Sequence, residues 1–188
     1  MTERDPTAPR FRPARPDDAE QVAALHADSW RRHYRGAYAD SYLDGDVHAD
    51  RREIWSSRLA APGDSVTVLA EDEEGLAGFV HVILDEDAEW GSLVDNLHVA
   101  HGRRRTGIGA TLMAYAGRGV LERAAHPGAY LWVLEQNAAA RQFYLACGGI
   151  RRDRALVPPP RGDASNLNGS PFGLRIAWPD VSVLARLG

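Results

Sequence analysis

Three consecutive arginines, Arg103, Arg104 and Arg105, stand immediately before Gly107 and Gly109. The glycines let a main chain come close to a ligand without a Cβ in the way, and the arginines add positive charge at the rim. Before them, Val94 to Val99 alternates apolar and polar residues as a strand does; after them, apolar residues recur at helical spacing towards Ala116. A strand–loop–helix junction of this kind aims the unpaired N–H groups of a helix's first turn at one point, where the helix dipole also favours negative charge. The chemistry on offer is anion binding, with phosphate as the natural ligand.

What the loop lacks narrows the ligand. A P-loop ends in Gly-Lys-Ser/Thr, whereas Gly109 is followed by Ala110 and Thr111. A dinucleotide fingerprint needs a third glycine where Leu112 stands, and neither Glu122 nor Glu135 is well placed as its acidic partner. What remains is Arg104-Arg105-Thr106-Gly107-Ile108-Gly109 directly after a strand ending in Leu97-His98-Val99. This resembles the coenzyme A pyrophosphate loop of the GNAT superfamily of N-acetyltransferases. Downstream, a buried strand Tyr130 to Leu134 leads into Asn137-Ala138-Ala139-Ala140-Arg141-Gln142-Phe143-Tyr144 and then Gly148, which is similar to the family's Asn-x-x-Ala-x-x-Phe-Tyr-x-x-x-Gly segment. The family's usual Gly-Phe after this helix is Gly148-Gly149 here, a departure that bears on local packing.

The resemblance implies a fold, a co-substrate and roles. The fold is α/β, a mixed, largely antiparallel twisted sheet with helices on both faces and one splayed pair of parallel strands. Acetyl-CoA would bind in the splay, its pantetheine pairing with backbone of Leu97, His98 and Val99. The amides of Arg104, Arg105, Thr106, Gly107, Ile108, Gly109 and Ala110 would hold its pyrophosphate. Asn137 would cap its helix and also touch the pantetheine or the substrate. Tyr144 matches the family's acid for the departing thiolate, and a backbone N–H, best placed at Val99, would polarise the thioester carbonyl. Asp95 is the first choice for the base, with Glu89 and His98 behind it. Strict alternation puts Leu93, Asp95 and Leu97 on one face of their strand and Val94, Asn96 and His98 on the other, a count that a bulge would shift. The reaction implied is direct attack of a primary amine, on a small molecule or a peptide, on the thioester; a non-catalytic acyl-CoA-binding or sensing module is the alternative.

The rest of the chain must position these groups. It has 188 residues, 44% hydrophobic and 26% charged, which suits one globular domain over residues 11–188 after a disordered start at 1–10. Its 22 basic residues are all arginine against 26 acids, a net charge of -4 that disfavours a broad nucleic-acid surface. The start has no signal-like apolar centre and no run is long enough to cross a membrane, so a cytoplasmic location is expected. Cys147 is the only cysteine, which excludes an intramolecular disulfide, and no Cys/His pair stands at zinc-ligand spacing.

A proline-bearing first strand at FRPAR, a helix capped by Asp17 and a second helix within Asp46 to Ala60 are expected to precede the sheet. A meander follows: Ser65 to Ala70, Leu76 to Leu84 and Leu93 to Val99. Then come the helix from Gly107, the strand at Tyr130, and strands near Ile150 to Leu156 and Phe172 to Trp178, with a long loop between the last two. Trp30, Tyr34, Tyr38 and Tyr42, four residues apart, suit core, a subunit interface such as a homodimer's, or a substrate wall. Asp85, Glu86, Asp87 and Glu89 read as an acidic loop, either a solvated turn or an attractor of cationic amines.

Overall fold

The computed structural model describes residues 8–187. Four strands, β1 (Arg10–Pro13), β2 (Ser65–Asp72), β3 (Gly75–Asp87) and β4 (Gly91–Val99), form the antiparallel meander, and β5 (Ala129–Leu134) adds to β4 in parallel. The chain then places β7 (Phe172–Trp178) beside β5 and β6 (Ile150–Leu156) outside it, giving the order β1-β2-β3-β4-β5-β7-β6. The mixed, largely antiparallel sheet with one parallel pair is the architecture expected. Of the residues assigned to a disordered start, 1–7 lie outside the described residues, while Arg10 already pairs with Glu71.

The helices divide between the two faces by where their apolar stripes point. The helix α1 (Ala19–His33) lays Val22 and Ala23, and α3 (Val47–Ala60) lays Trp55 and Leu59, on Leu69 and Phe79. On the other face α4 (Ile108–Arg123) and α5 (Ala138–Ala146) bury Ile108, Leu112, Met113 and Tyr144, with Cys147 at the end of α5, against Val80, Val82, Leu131 and Ile176. Two single-turn helices, α2 (Asp40–Leu43) and α6 (Ser182–Ala185), complete the set. Asp18, not Asp17, organises the start of α1: its buried carboxylate accepts from the Arg15 N–H at 2.7 Å and from both terminal nitrogens of Arg12. Asp46 caps α3 by accepting from the Ala49 N–H.

Two local features depart from simple alternation. In β4, His81 pairs with Asn96 but Val82 pairs with Val94, so Asp95 is the extra residue of a β-bulge. The face count shifts with it: Val94, Leu97 and Val99 all pack towards α4, while His98 lies against α1. The second departure is at β3, which runs through Asp87, so Asp85 to Asp87 are strand residues and not a loop. Their carboxylates are used locally, Asp85 by the N–H groups of Ala125 and His126, Glu86 by the Tyr130 hydroxyl, and Asp87 by the N–H groups of Glu89 and Trp90.

Candidate active site

The strands β4 and β5 pair only at Ser92–Ala129 and Leu93–Tyr130 and then part. The opening is a cleft of about 790 Å³ whose walls include Leu97, His98 and Val99 on one side and Trp132, Val133 and Leu134 on the other. Backbone direction on β4 is fixed by the next residue along, since the Ala100 N–H donates to the Ala77 carbonyl of β3. With a period of two, the His98 amide also faces β3, and those of Leu97 and Val99 face the open edge. Of the three residues expected to offer backbone to a ligand, Leu97 and Val99 turn their N–H groups to the open edge, whereas that of His98 faces β3.

One end of the cleft is formed by the loop expected to cradle an anion. Gly107, at φ 89°, is the N-cap residue of α4 and has no side chain to cap it; no acidic residue occupies the first turn. Asp46 and Asn137 cap α3 and α5, whereas no side chain caps α4, which leaves its first N–H groups open towards the cleft. Arg104, Arg105, Gly107, Gly109 and Ala110 line the cleft. Thr106 and Ile108 do not: the Thr106 hydroxyl braces the turn by donating to the Arg103 carbonyl at 2.7 Å, and the Ile108 side chain is buried in the core. Arg103 is not a free cation at the rim, because Asp72 and Glu74 of the β2–β3 hairpin hold its guanidinium. A cradle with open donors, a left-handed glycine and two arginines free of ion pairs among the described residues fits a pyrophosphate.

The other end carries the groups that could handle protons. Tyr144 projects from α5 into the cleft wall, and among the described residues its hydroxyl has no protein partner. Burial, reinforced by the neighbouring Tyr34 and Cys147, raises its pKa well above that of an ordinary phenol, so it carries a proton throughout the physiological range. Tyr34, opposite, is pushed up to about 12 by burial and by the charge of Asp95. The His98 Nδ1 shares a 2.7 Å hydrogen bond with Ser29 Oγ, and burial lowers its pKa to about 3, keeping the ring neutral. Behind it, at 4.6 Å between ring centres, lies His26. The Trp55 indole can only donate, so its 2.9 Å bond to His26 Nδ1 puts the His26 proton on Nε2.

No carboxylate lines this cleft among the described residues. Asp95 stands outside the lining, on the bulge, where its carboxylate accepts from Arg58 at 2.6 Å and from Asn96. Its charge nevertheless acts on both Tyr34 and His98. Glu89 sits in the turn before Gly91, at the opposite end of β4 from Leu97 and so roughly 20 Å from it by strand rise. The acidic run beside it lies at that same far end. The oxygen of Asn137 is committed to the Ala140 N–H, capping α5, which leaves its amide nitrogen for the cleft.

The aromatic series forms a cluster rather than a helical stripe. Helix α1 ends at His33 and Gly36 turns the chain at φ 87°, yet Trp30, Tyr34 and Tyr38 still meet at ring-centre distances of 4.9 to 5.4 Å. Tyr34 alone of the four also lines the cleft. The long loop after β6 is fastened over this cluster: the Ala39 N–H donates to the Asn166 carbonyl, the Asn168 N–H to the Ala37 carbonyl, and Arg161 pairs with Asp50 and Glu53. Between this loop and the β5–α5 turn lies a second hollow of about 490 Å³ that shares Leu134 with the cleft. Sequence reasoning missed Ser29, His33 and Trp132 as cleft residues, since each belongs to an ordinary helix or strand pattern and reaches the site only through the packing of α1 and β5.

Residues 22–148 match the family profile described as Acetyltransferase (GNAT) family. The chain is 27% identical over 180 residues to the uncharacterised N-acetyltransferase YuaI of Bacillus subtilis, covering 94% of this chain and 96% of that one. It is 31% identical over 145 residues to the probable N-acetyltransferase Rv2775 of Mycobacterium tuberculosis, covering 74% and 78%. Its fold is similar to that of PaiA N-acetyltransferase from Thermoplasma acidophilum in complex with coenzyme A, with a TM-score of 0.70 at 19% identity, covering 91% of this chain and 99% of that one. With the profile spanning the cradle, the splayed strands and the Tyr144 helix together, the chain belongs to the GNAT family of acetyltransferases, an acyltransferase with acetyl-CoA as its co-substrate.

Proposed function

We propose that this acetyltransferase passes the acetyl group directly to a primary amine of a small molecule or peptide, without a covalent enzyme intermediate. The observation that carries the reading is one continuous cleft with an uncapped helix N-terminus at one end and an unbonded, protonated Tyr144 at the other. The cradle amides and the open-edge backbone of Leu97 and Val99 orient the thioester, and the Val99 N–H polarises its carbonyl. The amine nitrogen forms a bond to the acyl carbon as the carbon–sulfur bond breaks, and the Tyr144 hydroxyl supplies the proton that the leaving sulfur takes. The proton released by the amine passes through water towards Asp95, the carboxylate whose charge is felt at Tyr34 and His98; the neutral His98 orients that path. The acceptor approaches from the hollow beside the 157–170 loop, which shares the lining residue Leu134 with the cleft.

The test is release of free coenzyme A thiol from acetyl-CoA in the presence of pooled polyamines, amino acids, aminoglycosides and N-terminal peptides, beside a control without acceptor. Release that depends on one pool supports the reading and names the acceptor class. Release confined to hydroxyl acceptors, or independent of any acceptor, would refute transfer to an amine.

A further inference from the structure

One titratable side chain beside the cradle comes from outside the loop. His33 is the last residue of α1, half-buried, and lines the same cleft as His101 and Arg104, whose charges it feels. Among the described residues its imidazole makes no hydrogen bond to protein. We propose that His33 is a phosphate ligand reaching the cradle from α1, and that it takes up a proton from solvent as coenzyme A binds. The inference rests on the assignment of the cradle to the cofactor's pyrophosphate.

The charges around His33 explain both halves. In the free protein it meets Arg104 and His101 from the loop after β4, Arg32 and Asp28 from its own helix, and His98 on β4. Burial comes first, then Arg104 and His101, in lowering its pKa below the ordinary 6.5; Asp28 opposes them weakly. A bound pyrophosphate would reverse the sign of the field at this point, offsetting Arg104 and presenting acceptor oxygens to an imidazolium. The carboxyl end of α1 adds its negative dipole end in the same sense. Protonation is therefore disfavoured while the cradle is free and favoured once an anion fills it. By linkage, affinity rises as pH falls through the window between the free and bound values of His33, by at most about tenfold per pH unit for one proton.

Calorimetric titration of coenzyme A into the wild-type protein and His33→Gln, at pH 6.5 in two buffers of different ionisation enthalpy, reads the proton count directly. The 3′-phosphate of coenzyme A titrates near this pH too, with a second pKa of about 6, but contributes equally to both proteins. The expected result is greater proton uptake by the wild type, a weaker pH dependence of affinity in His33→Gln, and uptake preserved in His101→Gln. Equal uptake in wild type and His33→Gln, or its loss only in His101→Gln, would overturn the proposal. Failure of the wild-type protein to bind coenzyme A would overturn the cradle assignment itself, and this inference with it.

Discussion

At the scale of single residues, Tyr144 and Gly107 carry the sharpest expectations. Tyr144 is held protonated by burial, so Tyr144→Phe removes a proton donor while leaving ring packing against Phe143 and Trp178 in place. We expect turnover to fall about 100-fold, the usual scale for a lost general acid, with coenzyme A affinity unchanged by calorimetry. Gly107 has nothing within 4 Å of where a Cβ would stand, so the space is open and only its left-handed backbone requires glycine. Gly107→Val should strain the cradle by about 1–2 kcal/mol and weaken coenzyme A by on the order of tenfold, read as Kd. Gly109 makes a poorer test, since its Cβ would meet the Phe143 ring at 3.3 Å and disturb the α4–α5 contact as well. Both glycines are legible in the sequence as a motif, but their different physical reasons are not.

At the scale of elements, the cradle loop is anchored from outside itself. Arg103 spends its charge on Asp72 and Glu74, so the β2–β3 hairpin fixes where the loop leaves β4. Asp72→Asn should loosen that anchor and weaken coenzyme A binding by roughly threefold to tenfold, with the melting temperature little changed, because the pair lies at the surface. A loss of folding instead would show the pair to be structural only. The bulge at Asp95 is the same kind of fact. Residue types along β4 suggest regular alternation, and the extra residue follows from pairing with β3. Gly149 shows an element-scale compensation: a Cβ there would meet Ile176 at 2.4 Å and the Trp178 ring at 2.8 Å. Trp178 fills the space next to the α5 end and donates to the Cys147 carbonyl, which accounts for the second glycine where the family has phenylalanine.

For the whole molecule, the layer between the sheet and the α1–α3 pair holds three buried imidazoles, His26, His81 and His98. Burial lowers the pKa of each, to about 4 for His81 and about 3 for His98. Their folded values lie below the unfolded value of 6.5, so the unfolded chain binds more protons in acid. The stability they confer is fully present above pH 6.5 and is lost as pH falls towards 4. Thermal unfolding followed by circular dichroism should give a melting temperature that falls steadily from pH 6.5 to 4.5. A flat profile over that range would mean that these rings are solvated and protonated in the folded state. No helix among the described residues is long and apolar enough to cross a membrane.

The sequence by itself determined the strand–loop–helix junction at Gly107, the order of the main elements and the helix that carries Tyr144. These depend on local pattern: glycines next to arginines at a strand–helix junction, period-2 and period-3.6 runs, and a short motif on one helix. β6 and β7 run where the residue pattern places them, at Ile150–Leu156 and Phe172–Trp178. Tertiary structure decided which residues share the cleft. His33, Ser29 and Trp132 come from elements distant in sequence, Arg103 is drawn away by a hairpin some thirty residues earlier, and Asp95 is turned towards Arg58 by a bulge. Proton chemistry depends on burial and on charges across such gaps, which no spacing along the chain encodes.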